Sequence, residues 1–555
     1  MTHSDTGAAI LQGRTSLGIE FGSTRIKLVL MGEDHRILAS GSHQWHSRYE
    51  DGLWTYSLEE IRSGLQDGYA ALARSAREQY GLPLETVGSI GVSAMMHGYL
   101  AFDGEGALLA PFRTWQNTNA APAARELSAL LSFNIPVRWS IAHLEQAILD
   151  GEEHVPRIRT LTTLAGYIHW QLTGEKVLGI GDASGMFPVS AGHTYDREKL
   201  ARYEAHNATR NLPWHLEELL PRVLTAGEDA GTLTPEGALL LDPTGTLRPG
   251  IPFCPPEGDA GSGMVATNCV RPRTCNVSAG TSFFAMAVLD APLSRPYPEI
   301  DIVTTPAGDD VAMVHGNNGT GDLDAWAELL RSFLLRSTGT DLPRGRVLDL
   351  LFDAAMEGEP DCGGLYYYNC INGEPLLGLS HGCALLARTP GVSLTLPGFA
   401  RAQLSAILAP LAAGMRLLTR EGVCLEEITG HGGFFVAGEP ARRIMAAALN
   451  VPVSVTDTAS EGGAWGMALL AEYRRCRRSG ETLFDYLQRC VFAHETKRTS
   501  RPDPAEHEGF LRFLVRYEAA AQAQAAFRPA EDRAQPLGCI STPNRCFTAL
   551  SNVIL

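Results

Sequence analysis

Residues 17–40 read LGIEFGSTRIKLVLMGEDHRILAS, and this stretch decides how the N-terminal part of the chain is interpreted. Two apolar runs are separated by a Gly-Ser-Thr corner, with Glu20 before it and Lys27 after it. Alternating apolar positions and β-branched residues favour strands, so the stretch predicts two strands joined by a tight turn, followed by a third. Such a turn can present backbone N–H groups to a phosphate, but it can equally be a plain hairpin, which is the commoner structure.

The 555-residue chain has the composition of an ordinary globular protein and an acidic balance. Hydrophobic residues make up 45%, charged residues 19%, and the net charge is −16. This length predicts about two to four domains. Nucleic acids and anionic membranes require a basic surface, so the charge predicts a protein that binds neither. A phosphate ligand can still be held by local backbone dipoles.

The cysteine pattern indicates a reducing compartment. The eleven cysteines are scattered and contain no CxxC pair, which predicts reduced thiols in a cytoplasmic enzyme. The first residues lack a basic region followed by a long apolar stretch, so no secretory signal is expected. No run of 18 apolar residues occurs, so no membrane-spanning segment is expected.

A second strand–turn–strand pattern begins some 250 residues after the first. Residues 273–290, RTCNVSAGTSFFAMAVLD, again predict a strand, a small Gly-Thr-Ser corner and another strand, and residues 427–438, EITGHGGFFVAG, predict a strand that runs into a glycine cluster before a helix. Each turn alone can be a hairpin or a plain strand-to-helix loop. Together they suggest duplicated halves that face each other across a cleft and clamp a nucleotide.

The domain prediction follows from this repeat and from the Pro- and Gly-rich stretch near residues 255–270. We expect a loose, disordered leader over 1–15, an N-terminal domain over 16–265, a C-terminal domain over 266–528 and an unassigned tail over 529–555. Apolar periodicity predicts helices over 57–80, 119–132, 139–149, 160–173, 320–336, 343–357 and 398–420.

Asp259 is a lone acid in the small-residue segment EGDAGSGM at the predicted domain boundary. A carboxylate in a crevice could take the proton from a hydroxyl that attacks phosphorus. Aspartate is also a common N-cap, and a helix is predicted to begin near Ala260. The residues alone leave both interpretations open, with the cap favoured.

Two further stretches could recognise a polyhydroxylated ligand. His97 follows an apolar strand, and Trp115, Gln116 and Asn117 form an aromatic-amide cluster. Such clusters bind sugars by stacking and by paired hydrogen bonds. A satisfied loop histidine and a buried tryptophan beside surface amides are the alternatives, and they are the commoner structures.

Taken in order, these stretches resemble the FGGY family of carbohydrate kinases, over roughly residues 16–525. The matching segments are GIEFGSTRIKLVL, MMHG, LAGYIHWQLTGEKVLGIGDASGMFPVS, GDAGSGM, VSAGTS, ITGHGG and EGGAWGMALLA. The resemblance implies an α/β fold of two ribonuclease-H-like, or actin/hexokinase-like, domains that face each other across a cleft.

The resemblance also implies roles for individual residues. Asp259 would be the general base, and Glu20 would lie near Mg²⁺. Gly22, Ser23, Thr24 and Lys27 would surround the transferring phosphate; Gly280, Thr281 and Ser282 would bind the nucleotide phosphates; Gly432 and Gly433 would border the adenosine; and Met96, His97, Trp115, Asn117 and Asp182 would line the sugar site.

The implied activity is phosphorylation of a primary hydroxyl of a ketose or polyol by ATP with Mg²⁺, with a ketopentose such as xylulose or ribulose as the expected substrate. The expected partner is a small-molecule sugar, and a homodimer is compatible with this expectation. A catalytically weak, kinase-derived sugar-binding regulator and an actin-like ATPase switch are the alternatives. A switch needs phosphate turns but neither a base nor a sugar pocket.

Three segments depart from the family pattern. Glu20 stands where the family usually has aspartate, the segment TWQN at 114–117 lacks the acidic residue found in many xylulokinases, and HGNNGTGDLDAW at 315–326 is unusually polar for a helix entry. These departures bear on metal geometry, on the identity of the sugar and on the subgroup to which the chain belongs.

Overall fold

A computed structural model describes residues 3–456 and 462–526 and shows two lobes, each built on its own β-sheet. The N-terminal lobe carries a five-stranded sheet in the order β11-β6-β1-β2-β3. The strands up to the domain boundary are β1 (Ser16–Phe21), β2 (Arg25–Met31), β3 (Ile37–Gln44), β4 (Arg48–Glu50), β5 (Leu53–Thr55), β6 (Ser89–Ala94), β7 (Leu100–Phe102), β8 (Thr160–Thr162), β9 (Val177–Gly179), β10 (Arg222–Leu224) and β11 (Glu257–Gly258).

The helices of the N-terminal half of the chain pack around this sheet. They are α1 (His3–Leu11), α2 (Leu58–Tyr80), α3 (Ala121–Leu131), α4 (Ser140–Leu149), α5 (Leu164–Thr173), α6 (Ile180–Ala183), α7 (Arg197–Asn207), α8 (Leu216–Leu219), α9 (Pro235–Leu241) and α10 (Asp259–Ala266). The expected loose leader is wrong for its described part, because α1 buries Ala9 and Ile10 against the lobe.

The C-terminal lobe carries a seven-stranded sheet in the order β14-β15-β13-β12-β18-β19-β20. Its strands are β12 (Thr274–Ala279), β13 (Phe283–Val288), β14 (Asp301–Thr304), β15 (Asp310–Gly316), β16 (Leu365–Asn369), β17 (Ala384–Arg388), β18 (Glu427–His431), β19 (Val453–Thr456) and β20 (Lys497–Ser500), of which β16 and β17 form a separate ribbon. The helices in this part of the chain are α11 (Gly321–Thr338), α12 (Arg344–Ala355), α13 (Leu396–Arg420), α14 (Glu439–Leu449), α15 (Gly462–Cys476), α16 (Leu483–Tyr486) and α17 (Pro504–Ala521).

The two sheets share one plan, which confirms the predicted duplication. In each, a hairpin opens the lobe, a third strand adds antiparallel, and the first strand of the hairpin pairs in parallel with a later strand: β1 with β6, and β12 with β18. The ends of β1 and β12 therefore carry equivalent turns on two separate lobes.

Helix α15 belongs to the N-terminal lobe in space, although the sequence prediction assigned residues 266–528 to the other domain. It packs against β1, where a Cβ at Gly18 would lie 1.8 Å from the Ala464 carbonyl oxygen, and against α10, where a Cβ at Gly466 would lie 2.0 Å from the Ser262 carbonyl oxygen. Trp465 lies in the core of this lobe. The chain thus crosses back to the N-terminal lobe after β19, so dividing the sequence at one position does not separate the two lobes.

The predicted helices are present with shifted ends. The largest difference is at residues 160–162, which were predicted as helix but form β8, paired with β7. Within the described residues, α13 is the one helix long and apolar enough to cross a membrane, and most of its apolar stretch is buried inside the C-terminal lobe, as in the core helix of a globular domain. The predicted tail over 529–555 lies outside the described residues.

Candidate active site

A cavity of about 220 Å³ lies between the lobes and is lined by six of the residues predicted for the site. Predicted residues Ser23, Met96, His97, Trp115, Asp259 and Ser282 line it together. The other lining residues are Met95, Arg138, Ala260, Phe284, Met313 and His315. The two lobes thus contribute opposite walls of one cleft.

Asp259 follows β11 directly and is the first residue of α10. Its Oδ1 accepts hydrogen bonds from the backbone N–H groups of Met96, at 3.2 Å, and Ala260, at 2.9 Å. Burial, and secondly the charge of Glu20, raise the pKa of Asp259 to about 6. The carboxylate is therefore fixed through one oxygen, leaving Oδ2 for a hydroxyl in the cleft. The N-cap of α10 is Gly258, so the cap interpretation of Asp259 is wrong in detail.

Glu20 stands opposite Lys27 in the register of β1 and β2. Its Oε2 accepts a hydrogen bond of 3.1 Å from the Ala464 N–H, in the first turn of α15. Burial raises the pKa of Glu20, while this hydrogen bond and the Lys27 charge oppose the rise. Glu20 thus stabilises the start of α15, a role that the sequence prediction missed.

The donor set around Glu20 fits Mg²⁺. Two half-buried carboxylates, Glu20 and Asp259, lie close enough that the charge of Glu20 raises the pKa of Asp259. A hard cation with oxygen ligands and retained waters would relieve this repulsion. The extra methylene of Glu20 lets it reach α15 as well, so a direct bond to the metal and a water-mediated one are both compatible with this position.

The first turn is a hairpin, and Ser23 at its tip lines the cleft. Phosphate binding by residues 22–24 stays a prediction. Gly22 N–H donates to the Arg25 carbonyl at 3.0 Å and closes the turn. Three aromatic side chains donate hydrogen bonds to the turn. Trp45 Nε1 donates to the Gly22 carbonyl at 2.7 Å, Tyr56 Oη to the Ser23 carbonyl at 2.6 Å, and Trp115 Nε1 to Ser23 Oγ at 3.2 Å. Thr24 is exposed beside them.

The second turn, Gly280 to Ser282, is braced by the polar segment that departs from the family pattern. Gly319 N–H donates to the Thr281 carbonyl and Thr320 N–H to the Gly280 carbonyl, each at 2.8 Å. A Cβ at Gly319 would lie 2.1 Å from the Gly280 carbonyl oxygen, so only glycine permits this approach. The polar residues of the segment therefore fix the shape of a turn.

Asn318 and Glu374 hold that segment in place. The Asn318 amide donates to the Gly373 carbonyl at 2.7 Å and to Glu374 Oε2 at 3.2 Å, and the Asn317 N–H donates to the same carboxylate oxygen at 3.0 Å. Burial raises the pKa of Glu374 to about 7. No sequence signal distinguished Glu374, which lies in a loop more than 50 residues further along the chain.

The third glycine cluster lies beside the second turn. Gly432 has φ +98°, and a Cβ there would lie 2.5 Å from the Ala279 carbonyl oxygen. A Cβ at Gly433 would meet no heavy atom within 4 Å among the described residues. The end of β18 thus approaches the second turn closely and leaves open space next to it, as a site for a flat base requires.

His97 is held in a defined tautomer on the wall of the cleft. Its Nδ1 lies 3.2 Å from the Gly185 carbonyl oxygen, which can only accept, so Nδ1 carries the hydrogen and Nε2 is an acceptor. Its ring stacks on Trp139 at 6.2 Å. Burial and the Arg138 charge lower the pKa of His97 well below its ordinary value, so the ring is neutral at physiological pH.

Two predicted sugar ligands lie elsewhere. Asn117 is buried, with its Oδ1 accepting from the Trp54 N–H at 2.8 Å and its Nδ2 donating to the Trp54 and Thr114 carbonyls at 2.8 and 3.0 Å. These bonds use the amide to position the loop that carries Trp115. Asp182 is fully buried behind the cleft, accepts from Thr163 Oγ1 at 2.6 Å, and has a pKa that burial raises to about 7.

Arg138 is a lining residue that the sequence analysis missed. It follows α3 in a connecting loop, without a motif that could have marked it. Its guanidinium forms an ion pair with Asp301 on β14, and Asn134 Nδ2 donates to the same carboxylate at 2.9 Å. An ion pair at the edge of the cleft therefore joins the two lobes.

Comparison with known proteins agrees with this geometry. Residues 15–266 match the description of the FGGY family of carbohydrate kinases, N-terminal domain, and residues 275–474 match that of the C-terminal domain. Two sheet-centred lobes that face each other across a cleft, together with these family matches, define a sugar phosphotransferase of the actin/hexokinase-like fold. The chain belongs to the FGGY family of carbohydrate kinases.

The similar proteins are sugar kinases at low sequence identity. The chain is 21% identical over 437 residues to a xylulose kinase of Haemophilus influenzae, covering 75% of this chain and 82% of that protein. It superposes with a TM-score of 0.74 on xylulose kinase from Lactobacillus acidophilus, at 17% identity over 93% of this chain and 100% of that one. Gluconate kinase from the same organism gives a TM-score of 0.74 at 18% identity, over 92% of this chain and 98% of the other.

Proposed function

We propose that the protein transfers the γ-phosphate of ATP to a primary hydroxyl of a neutral ketose, with a ketopentose such as xylulose or ribulose as the preferred substrate. The observation that carries the proposal is Asp259, whose Oδ1 is fixed by two backbone N–H groups beside a cleft lined by Ser23 and Ser282. Family membership supplies the reaction class, and the walls of the cleft supply the argument for the substrate.

Asp259 accepts the proton of the attacking hydroxyl through Oδ2. A pKa of about 6 leaves it ionised at neutral pH yet more basic than an ordinary aspartate, which suits a general base. Ser23, on the N-terminal lobe, and Ser282, on the C-terminal lobe, flank the position of the transferring phosphoryl group. Closure of the lobes around it excludes water, which limits wasteful hydrolysis.

ATP occupies the C-terminal side of the cleft in this proposal. The turn from Gly280 to Ser282 holds its inner phosphates, and Gly432 and Gly433 border the adenosine. Glu20 would hold Mg²⁺, directly or through water, and the cation would stabilise the charge of the phosphates. Lys27, next to Glu20 in the sheet, balances the charge of the carboxylate.

The charge of the cleft favours a neutral sugar over a sugar acid. Arg138 is the one cation among the lining residues, since burial keeps both lining histidines neutral, and its charge is already matched by Asp301. A carboxylate substrate would have to compete with that ion pair. The cavity volume also lies below the ~300–1,000 Å³ of ordinary small-molecule pockets, as a small ligand requires.

A panel of sugars tests this proposal and separates it from the alternatives. ADP release is measured with D-xylulose, D-ribulose, D-fructose, glycerol and gluconate, and without sugar. We expect the highest kcat/KM with a ketopentose and little ADP without sugar. ADP release that ignores the sugar would indicate an ATPase switch, sugar binding without turnover would indicate a regulator, and a preference for gluconate would overturn the charge argument.

A further inference from the structure

The wall of the sugar cleft on the C-terminal lobe carries a histidine to which no role has yet been assigned. His315 stands near the end of β15, directly opposite Phe284 in the register of β13 and β15, and both side chains line the cleft. The Phe284 and His315 rings meet edge to face at 6.4 Å. His315 is also the first residue of the polar segment that braces the second phosphate turn.

The ring of His315 is available to a ligand. Its side chain makes no hydrogen bond or ion pair with any group in the described part of the chain, although histidines elsewhere in this cleft region, such as His97, are bonded. Burial and the Arg138 charge lower the pKa of His315 to about 4, so it is a neutral imidazole with one donor and one acceptor. A sugar hydroxyl can use either nitrogen.

We propose that His315 is a specificity-determining residue that hydrogen-bonds a hydroxyl of the sugar from the nucleotide lobe, opposite His97. The proposal rests on the proposed function and adds that sugar recognition is divided between the lobes. Because His315 shares its segment with the residues that brace the second phosphate turn, the sugar then contacts the same rigid unit as the nucleotide. A buried polar group built to bond a hydroxyl discriminates strongly against sugars that cannot supply it.

Three substitutions separate hydrogen bonding from packing. His315→Asn keeps a donor and an acceptor, His315→Phe keeps a ring against Phe284, and His315→Ala removes both. His215→Ala is the control, because His215 is an exposed histidine that does not line the cleft. KM and kcat are measured for the preferred ketopentose and for ATP, and D-xylulose and D-ribulose binding is measured by calorimetry in the presence of ADP.

We expect His315→Ala and His315→Phe to raise the KM and the Kd for the sugar about tenfold or more, while the KM for ATP changes less than about twofold. His315→Asn should recover most of the loss, and His215→Ala should match the wild type. Wild-type kinetics in His315→Phe would show that the residue only packs, and no recovery in His315→Asn would show that a donor and an acceptor at this position do not restore sugar binding. Either result would overturn the proposal. If the wild type binds a ketopentose without phosphorylating it, the proposed function is refuted, while the Kd values of the variants still test His315. If the wild type binds no ketopentose, both the proposed function and the role of His315 are overturned.

Discussion

At the scale of single residues, the site depends on carboxylates whose pKa values burial has raised. Asp259 is the one to which the proposed reaction assigns proton transfer, and its backbone hydrogen bonds explain how a half-buried acid can stay ionised near neutral pH. Asp182 and Glu257 lie behind it, and burial raises their pKa values to about 7 and about 8.

Activity should depend on the ionisation of Asp259. A general base with a raised pKa is lost as the pH falls through that value, so kcat/KM for the sugar should decline below an inflection near pH 6. Asp259→Asn should lower kcat by about 10²–10⁴-fold and abolish this inflection in the remaining rate. A pH–rate profile of both proteins checks the assignment, and an unchanged acid limb in the variant would refute it.

The stability of the protein should fall as the pH rises towards 8. The folded pKa values of Asp182 and Glu257 exceed their unfolded values, so between about pH 4 and pH 8 the native state holds protons that the unfolded chain has released. Asp182→Asn removes one such group and also the charge that raises the pKa of Glu257. The free energy of unfolding, measured with urea, should therefore fall between about pH 4 and pH 8 by about 1 kcal/mol less, or by a still smaller amount, in this variant than in the wild type. The exposed Asp51→Asn is the control, and equal pH slopes in all three proteins would contradict this account.

At the scale of elements, helix α15 returns the chain to the N-terminal lobe before β20 and α17 complete the C-terminal lobe. The Ala464 N–H in its first turn donates to Glu20, its Gly466 allows backbone contact with α10, and Gly18 on β1 allows backbone contact with α15. The contacts that pack α15 on this lobe therefore also hold Glu20 near Asp259.

Gly466→Ala should destabilise the protein by about 1–3 kcal/mol, because the new methyl group would lie 2.0 Å from the Ser262 carbonyl oxygen and backbone must move. Gly345→Ala, inside α12 with no heavy atom of the described residues within 4 Å of the new Cβ, is the matched control and should be neutral or slightly stabilising. Urea unfolding measures both. Equal stability of the two variants would show that α15 can shift without cost.

The helices and strands also show which features of the fold can be predicted from the sequence. The hairpins, the glycine turn and most helices were predictable because their apolar periodicity and turn residues act locally. Position 160–162 was not, because those residues form β8 by pairing with β7, a distant partner. Asn117 and Asp182 have the right chemistry for a sugar site, yet tertiary contacts use them inside the lobe, whereas Arg138 reaches the cleft from a loop without a motif.

At the scale of the whole molecule, two lobes with the same sheet arrangement line the cleft of a phosphotransferase. In the proposed function, the N-terminal lobe supplies the base, one wall of the sugar site and the metal ligand, and the C-terminal lobe supplies the second turn and the open space beside Gly433. The Arg138–Asp301 ion pair and the return of α15 connect the two. The predicted limits of the domains, the cytoplasmic location and the homodimer stay predictions.

The most direct test of the central claim is to identify the product of the wild-type enzyme by ³¹P and ¹³C NMR, with ATP, Mg²⁺ and the preferred ketopentose. If Asp259 activates a primary hydroxyl in the cleft, each ADP should be matched by one phosphomonoester on the terminal carbon of the sugar, and Asp259→Asn should form it at least about a hundredfold more slowly. ADP accompanied by inorganic phosphate, or a phosphoryl group on a secondary hydroxyl, would contradict the account.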